Sequence, residues 1–388
     1  MNMLREIIVA IYLIVFNLLF KFFKLFTIKK KVTFIMSYGE NALSIYDEMK
    51  KNNVDFEVVF LYKKTCKYKL KKYSGVKSYQ FETLSMVNLI EGVYHLATSS
   101  YVIVDNYFGF LSAIKFRKGT ECIQLWHAAG AIKNFGLLAP TFKERSKRAQ
   151  KRFVKVYNNF HKIVVGSDAL ATIYMDAFDL RSNQMIKTGI PRTDLFFDEV
   201  RQKHIVDKLL GENQILKQKK IILYAPTFRD GEIKYFNLNL NIEEMYRELH
   251  QEYVLLIKLH PAIRDKISHI SKYKDFIFDY SLHPNINELF LVTDFLVTDY
   301  SSIPFEFCLL NKPMIFYPYD LEQYTQQRGI IEDYSATVPG PIIYSTKELI
   351  EVIKNNTFNM EDIKIFSEKW SQYSKGNSSK KFVDQILK

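Results

Sequence analysis

The sequence predicts an α/β protein: two doubly wound parallel-sheet domains facing each other across a cleft, preceded by a membrane-associating helix. Three observations carry this. The chain of 388 residues exceeds what one hydrophobic core usually supports. Short β-branched or aromatic runs alternate with helical stretches, and those runs are near-continuously apolar, as strands covered on both faces must be. The alternation occurs twice, broken by a polar stretch from Asp198 to Lys220. The expected division is residues 1–28 as the membrane-associating segment, 29–195 as a first α/β domain and 196–388 as a second.

The N-terminal segment comes first. Ile7 to Phe20 is apolar except for Asn17, and Lys21, Lys24 and Lys29-Lys30-Lys31 follow. Fourteen helical residues reach about 21 Å, short of the roughly 30 Å of a bilayer core. We read the segment as an interfacial, monotopic anchor whose lysines snorkel; a spanning helix, a buried helix and a cleaved signal are the alternatives. The charge is uneven in the same sense: residues 1–192 hold 30 Lys and Arg against 14 Asp and Glu, whereas residues 193–388 hold 24 against 28. The first half is therefore expected to meet an anionic partner.

In the first domain, VTFIMS (32–37), FEVVFLY (56–62), YVIVD (101–105), CIQLW (122–126) and HKIVVGS (161–167) read as strands. Helices are expected at 42–51, 84–97 and 168–178, the last capped by Ser167 or Asp168. In the second, IILYAP (221–226), YVLLIKL (253–259), FIFDY (276–280), FLVTD (295–299) and PMIFYP (313–318) are the strands. Helices follow at 242–250, 286–292, 303–310 and 346–354. Ligands of such sheets bind beyond the carboxyl ends of the strands.

Four clusters lie at those ends. Trp126-His127 followed by Ala128-Ala129-Gly130, with Lys133 beyond, leaves an imidazole beside a small-residue turn that a bulky acceptor can approach; a core histidine is the plainer alternative. Thr227 and Arg229 offer a hydroxyl and a guanidinium just past a strand, suited to a phosphate or ribose, or merely an exposed turn. Lys258 and His260 alternate around Leu259 and so share one side of a strand, with Arg264 close behind. Such cations suit a diphosphate, and His260 could move a proton. Finally, Asp299-Tyr300-Ser301-Ser302 opens the expected helix 303–310, where hydroxyls and N–H groups favour an anion; a simple serine cap is the alternative.

Several chemistries are missing. No phosphate-loop, dinucleotide, zincin or nucleophile-elbow motif occurs. No D-x-D pair offers a metal clamp, and Cys66, Cys122 and Cys308 are too scattered for a thiolate zinc site or a disulfide framework. We expect no cofactor and no metal. The lysine-rich segments 63–72 and 143–155 come without a nucleic-acid-binding motif, so they read as contacts to anionic headgroups or a lipid diphosphate.

LWHAAGAIKNFG (125–136), YAPTFRD (224–230), KLHP (258–261), VTDYSSIPFEF (297–307) and KPMIFYPYDLEQY (312–324) resemble the CDP-glycerol glycerophosphotransferases of wall teichoic acid synthesis. The resemblance implies a GT-B-like fold. It also implies transfer of glycerol phosphate from CDP-glycerol to an undecaprenyl-diphosphate-linked disaccharide already primed with glycerol phosphate, with release of CMP. Carried onto this sequence, His127 is the general base and His260 its partner at the leaving group. Thr227, Arg229, Lys258, Arg264, Ser301 and Ser302 hold the donor, with Asp299 and Glu306 near its ribose or base. Trp126, Gly130 and Lys133 lie on the acceptor side. The implied partners are CDP-glycerol, the polyprenyl-diphosphate-linked acceptor and an anionic membrane surface, at the cytoplasmic face of a bacterial membrane; homo-oligomerisation is left open. Addition of the first glycerol phosphate, ribitol-phosphate transfer, a nucleotide-sugar glycosyltransferase and a non-catalytic assembly protein remain alternatives.

Overall fold

A computed structural model describes residues 3–229, 238–259 and 272–388. The chain divides into two compact units: unit 1 is 1–127, 135–194 and 373–388, and unit 2 is 128–134 and 195–372.

Unit 1 begins with α1 (Met3–Phe23). Then come β1 (Lys29–Met36), α2 (Glu40–Lys51), β2 (Glu57–Tyr62), β3 (Lys77–Gln80), α3 (Met86–Thr98), β4 (Ser99–Val104) and β5 (Glu121–Gln124). After these follow α4 (Pro140–Lys143), α5 (Lys147–Tyr157), β6 (Lys162–Val164), α6 (Asp168–Phe178) and β7 (Met185–Ile186). The sheet has the order 3-2-1-4-5-6-7 and every pairing is parallel. β1 is central: its Phe34 lies between Phe60 of β2 and Ile103 of β4, and the strand is buried from Lys31 to Met36. Ser167 caps α6 as expected, its Oγ accepting the Leu170 N–H at 3.1 Å.

Unit 2 repeats the plan. It comprises α7 (Glu199–Glu212), β8 (Lys220–Tyr224), α8 (Ile242–Leu249), β9 (Tyr253–Ile257), β10 (Ile277–Asp279), α9 (Ile286–Val292), β11 (Phe295–Thr298), α10 (Pro304–Phe307), β12 (Met314–Phe316) and α11 (Leu321–Arg328). Its parallel sheet has the order 10-9-8-11-12. The fold is thus two doubly wound parallel-sheet units, as the alternation of strands and helices predicts.

The differences are local. The polar stretch 198–220 is mostly helix: α7 is capped by Asp198, whose carboxylate accepts the Arg201 N–H at 3.0 Å. Only Ile205 and Leu209 of α7 are buried, so its apolar stripe is too thin to stand out. The short edge strands β3 and β7 have no apolar run to announce them. The helix expected at 303–310 is the single turn α10 followed by a 3₁₀ turn, Cys308–Leu310. The last sixteen residues pack on unit 1, where the Asp194 carboxylate accepts the N–H groups of Ser378 and Ser379, each at 2.8 Å. Gly189, at φ +89°, passes so close to Tyr373, Ser374 and Ser378 that a Cβ would overlap them.

α1 is long and apolar enough to cross a membrane by length and composition, yet it lies against unit 1. Phe16 and Phe20 are buried, meeting Phe81, Phe110 and Phe116. Asn17, the one polar residue in the apolar run, turns inward and donates to the Ala113 carbonyl. Because Phe16 fills a closed aromatic cluster, Phe16→Ala should destabilise the protein by about 3–5 kcal/mol in urea titration, whereas Ile8→Ala on the outer face should change it by less than about 0.5 kcal/mol.

Candidate active site

In unit 1 the carboxyl ends of β1, β4 and β5 converge on one buried aspartate. Asp105, just past β4, accepts the N–H groups of Ser37 (2.8 Å), Tyr38 (2.9 Å) and Gly39 (2.9 Å), which form the turn between β1 and α2. An anion-binding turn of this kind usually awaits a ligand; here the chain supplies the carboxylate itself. Beside it the chain leaves β5. The strand stops at Gln124, two residues before the expected end, because Trp126 takes a left-handed backbone (φ +54°). Two bonds hold that strained turn: Trp126 N–H donates to Gln124 Oε1 at 2.8 Å, and Asn41 Nδ2 donates to the Trp126 carbonyl at 3.0 Å.

The turn delivers His127 between two rings. Its imidazole stacks on Tyr38 (centroids 4.7 Å apart) and on Trp126 (4.6 Å). Arg192 fixes the backbone from below, Nη2 donating to the His127 carbonyl at 2.9 Å, while Asn41 Oδ1 accepts the Arg192 N–H at 3.1 Å. Trp126 and His127 thus stack on each other at the end of β5. Tyr38, Asn41 and Arg192 are isolated in the sequence and carry no pattern there. Asp105 alone had a signal, as the polar residue that ends an apolar strand.

Unit 2 is organised in the same way. Asp299, just past β11 and 2% exposed, accepts the Thr227 N–H at 2.8 Å and binds Arg229 Nη1. Arg229 in turn makes a two-pronged pair with Asp320, Nε to Oδ2 at 3.0 Å and Nη2 to Oδ1 at 2.8 Å. Its guanidinium lies over Tyr319 at 4.6 Å, Tyr300 at 5.3 Å and Tyr324 at 5.4 Å. Burial opposes the charge of Arg229, but the Asp320 hydrogen bonds and the charge of Asp299 outweigh it and raise the pKa above the ordinary arginine value. Arg229 was expected on a diphosphate; any anion bound here would share it with two carboxylates.

The other expected donor residues that the structure describes also lie in unit 2. Thr227 Oγ1 is buried and has no hydrogen-bond partner among the described residues. Lys258 Nζ donates to the carbonyls of Ser281 (2.9 Å) and His283 (2.6 Å). Ser301 Oγ accepts the Ile303 N–H at 3.3 Å, Ser302 is half-buried, and Glu306 is 3% exposed on α10. His260 and Arg264 lie outside the described residues. Gly130 and Lys133 belong to unit 2. There a Cβ on Gly130 would overlap the Phe305 ring, and Lys133 Nζ donates to the Tyr324 hydroxyl at 3.3 Å. Tyr324 itself stacks on Tyr300, centroids 3.9 Å apart.

Comparison with known proteins identifies the family. The family model of the CDP-glycerol:poly(glycerophosphate) glycerophosphotransferases matches residues 18–388. The chain belongs to that family. It is 37% identical to the teichoic acid glycerol-phosphate primase of Bacillus subtilis (strain 168), over 99% of this chain and 98% of the relative. It is 31% identical to the teichoic acid glycerol-phosphate transferase of Staphylococcus aureus (strain NCTC 8325 / PS 47), over 69% of this chain and 72% of the relative. A variant of the wall teichoic acid polymerase TagF has a similar fold, with a TM-score of 0.82 at 21% identity over 100% of this chain and 98% of that one. The family is thus a glycerophosphotransferase family of teichoic acid synthesis with a GT-B-like fold.

Two measurements test the two hubs. Arg229→Gln leaves buried Asp299 and half-buried Asp320 without their cation and should cost about 3–5 kcal/mol of stability in urea titration. In unit 1, burial pushes the Asp105 carboxyl up to about 6 against the downward pull of its three N–H donors. Its contribution to stability is complete below about pH 4 and is lost as pH rises through about 6. Buried His95, pushed down to about 4 by burial and the Lys31 charge, slopes the opposite way. The readout is therefore a difference: relative to Asp105→Asn, the wild type should lose stability between pH 4 and pH 6, and parallel curves would refute the assignment.

Proposed function

We propose that this enzyme transfers glycerol phosphate from CDP-glycerol to a polyprenyl-diphosphate-linked disaccharide at the cytoplasmic face of the membrane, releasing CMP. The observation that carries the reading is His127, an imidazole at the carboxyl end of a parallel sheet, held between two rings, in a chain of a glycerophosphotransferase family. Unit 1 takes the acceptor and unit 2 takes CDP-glycerol. His127 accepts the proton of an acceptor hydroxyl as that oxygen attacks the β-phosphorus. The bond from this phosphorus to the bridging oxygen breaks, and CMP leaves with its electron pair. Such transfers need alignment and charge neutralisation more than covalent help.

Neutralisation falls to Lys258 and Arg264, with the hydroxyls of Thr227, Ser301 and Ser302 as donors and His260 at the departing CMP. Glu306 serves the ribose or base. The Asp299–Arg229–Asp320 hub sets the shape of the donor loops. Trp126 lines the acceptor side. Gly130 and Lys133, which the sequence assigns to that side, pack in unit 2, where Lys133 donates to Tyr324 of the Tyr300–Tyr324 stack. The membrane assignment is supported by α1, whose buried Phe16 and Phe20 and inward Asn17 favour a helix lying on a bilayer over one crossing it.

Which glycerol phosphate is added has two readings. The sequence favoured an acceptor already primed. The higher identity to a glycerol-phosphate primase, 37% against 30% for a poly(glycerol phosphate) polymerase from Bacillus spizizenii (strain ATCC 23059 / NRRL B-14472 / W23), favours the unprimed disaccharide. Incubation with CDP-glycerol or CDP-ribitol and synthetic primed or unprimed lipid acceptors separates these. In the same assay His127→Ala should lower single-turnover transfer by about 10²–10⁴-fold while calorimetry still shows CDP-glycerol binding. Ser301→Ala with Ser302→Ala should instead weaken CDP-glycerol binding. If His127→Ala abolishes donor binding and leaves saturated turnover intact, the division of labour between the units is wrong.

A further inference from the structure

Unit 1 carries a second surface that the transfer chemistry does not use. While α1 buries Phe16 and Phe20, it turns Ile7, Ile8, Ile11, Ile14, Leu18 and Phe22 outward, each between 48% and 61% exposed. α3, which packs on α1, adds exposed Leu84, Met86 and Val87 at its start. A run of apolar side chains this large on one face marks an interaction site.

α5 adjoins it. Arg152 of α5 reaches Glu6 of α1 with two bonds, 2.9 and 3.1 Å long. One position away, and so about 100° round the helix, runs a row of lysines. Lys147, Lys151 and Lys155 follow at four-residue spacing, and all three are exposed. Among the described residues none of them has a carboxylate partner. The neighbouring Lys143, Arg145 and Arg148 add to the charge, and Glu144 is the one acid between 143 and 155. Like charges at this spacing repel.

The row also borders a groove of about 480 Å³, lined by Phe142, Lys147, Gln150, Lys151, Val154 and Lys155. Phe142 and Val154 give it an apolar floor. Gln150 Nε2 donates to the carbonyls of Lys143 (3.1 Å) and Arg145 (3.0 Å), which fixes the turn that forms one wall.

We propose that this groove binds the phosphate headgroups of an anionic lipid bilayer. Lys147, Lys151 and Lys155 take the phosphates, and Phe142 with Val154 meets the glycerol and upper acyl carbons. The assignment rests on the reading of this enzyme as one that works at a membrane surface. It deepens that reading by naming a headgroup site separate from the apolar face of α1. A soluble polyanion such as RNA would account for the lysines, but not for the apolar floor or the adjoining face of α1.

The test is co-sedimentation of the full chain with vesicles of phosphatidylcholine alone, or with one-third phosphatidylglycerol. The wild type should bind the anionic vesicles more tightly, and added salt should erase the difference. Lys147→Gln, Lys151→Gln and Lys155→Gln together should weaken binding to anionic vesicles by about 100-fold and leave binding to neutral vesicles unchanged. Lys203→Gln, Lys217→Gln and Lys274→Gln, which remove the same charge from unit 2, should have little effect. The proposal is overturned if the α5 variant binds like the wild type, or if the unit 2 variant loses as much. Displacement from anionic vesicles by millimolar inorganic phosphate or an RNA duplex would overturn it as well, by making the ligand a soluble anion. Wild type that binds neutral and anionic vesicles equally overturns this site and spares the membrane reading; wild type that binds neither overturns both. Transfer to a soluble acceptor analogue is read separately, so failure of the catalytic reading is not mistaken for failure of the lipid site.

Discussion

One buried aspartate gathers the working end of each sheet. Asp105 follows β4 and Asp299 follows β11, and in each unit that strand lies beside the first strand of the unit's sheet. Each carboxylate then accepts backbone N–H groups from the loop after that first strand: Ser37, Tyr38 and Gly39 in unit 1, Thr227 in unit 2. The requirement comes from the parallel sheet. Its strands are joined by crossovers rather than hairpins, so the loops at their carboxyl ends have no ladder to fix them. A charged acceptor among buried N–H groups makes strong bonds and leaves few donors unsatisfied.

The two hubs differ in how the negative charge is balanced. Asp105 has only N–H donors, and burial pushes its carboxyl upward. Asp299 has Arg229, which Asp320 and three tyrosine rings hold in place. A cation held by two carboxylates keeps geometry and charge together without leaving an isolated buried ion.

The exterior of unit 1 follows from its interior. α1 cannot bury all sides of an apolar helix against a single layer, so the side away from the core stays exposed unless something apolar covers it. The basic row of α5 is tied to that helix by the Arg152–Glu6 pair. An exposed apolar face and a basic row are thus joined within one unit.

The sequence by itself determined the order of strands and helices, the class of sheet and the family. Those properties are local: an apolar run, a cap or a short motif is complete within a dozen residues. The stack around His127 was legible only in part, since Trp126 adjoins it but Tyr38, Asn41 and Arg192 arrive from other crossovers. Only the tertiary structure decided that Trp126 turns left-handed, that Gly130 and Lys133 pack in unit 2, and that the C-terminal residues return to unit 1. It also decided that Arg229 is claimed by Asp320, 91 positions away. Partners at such separations are chosen by which loops the sheet order brings side by side, and no local period or propensity encodes that choice.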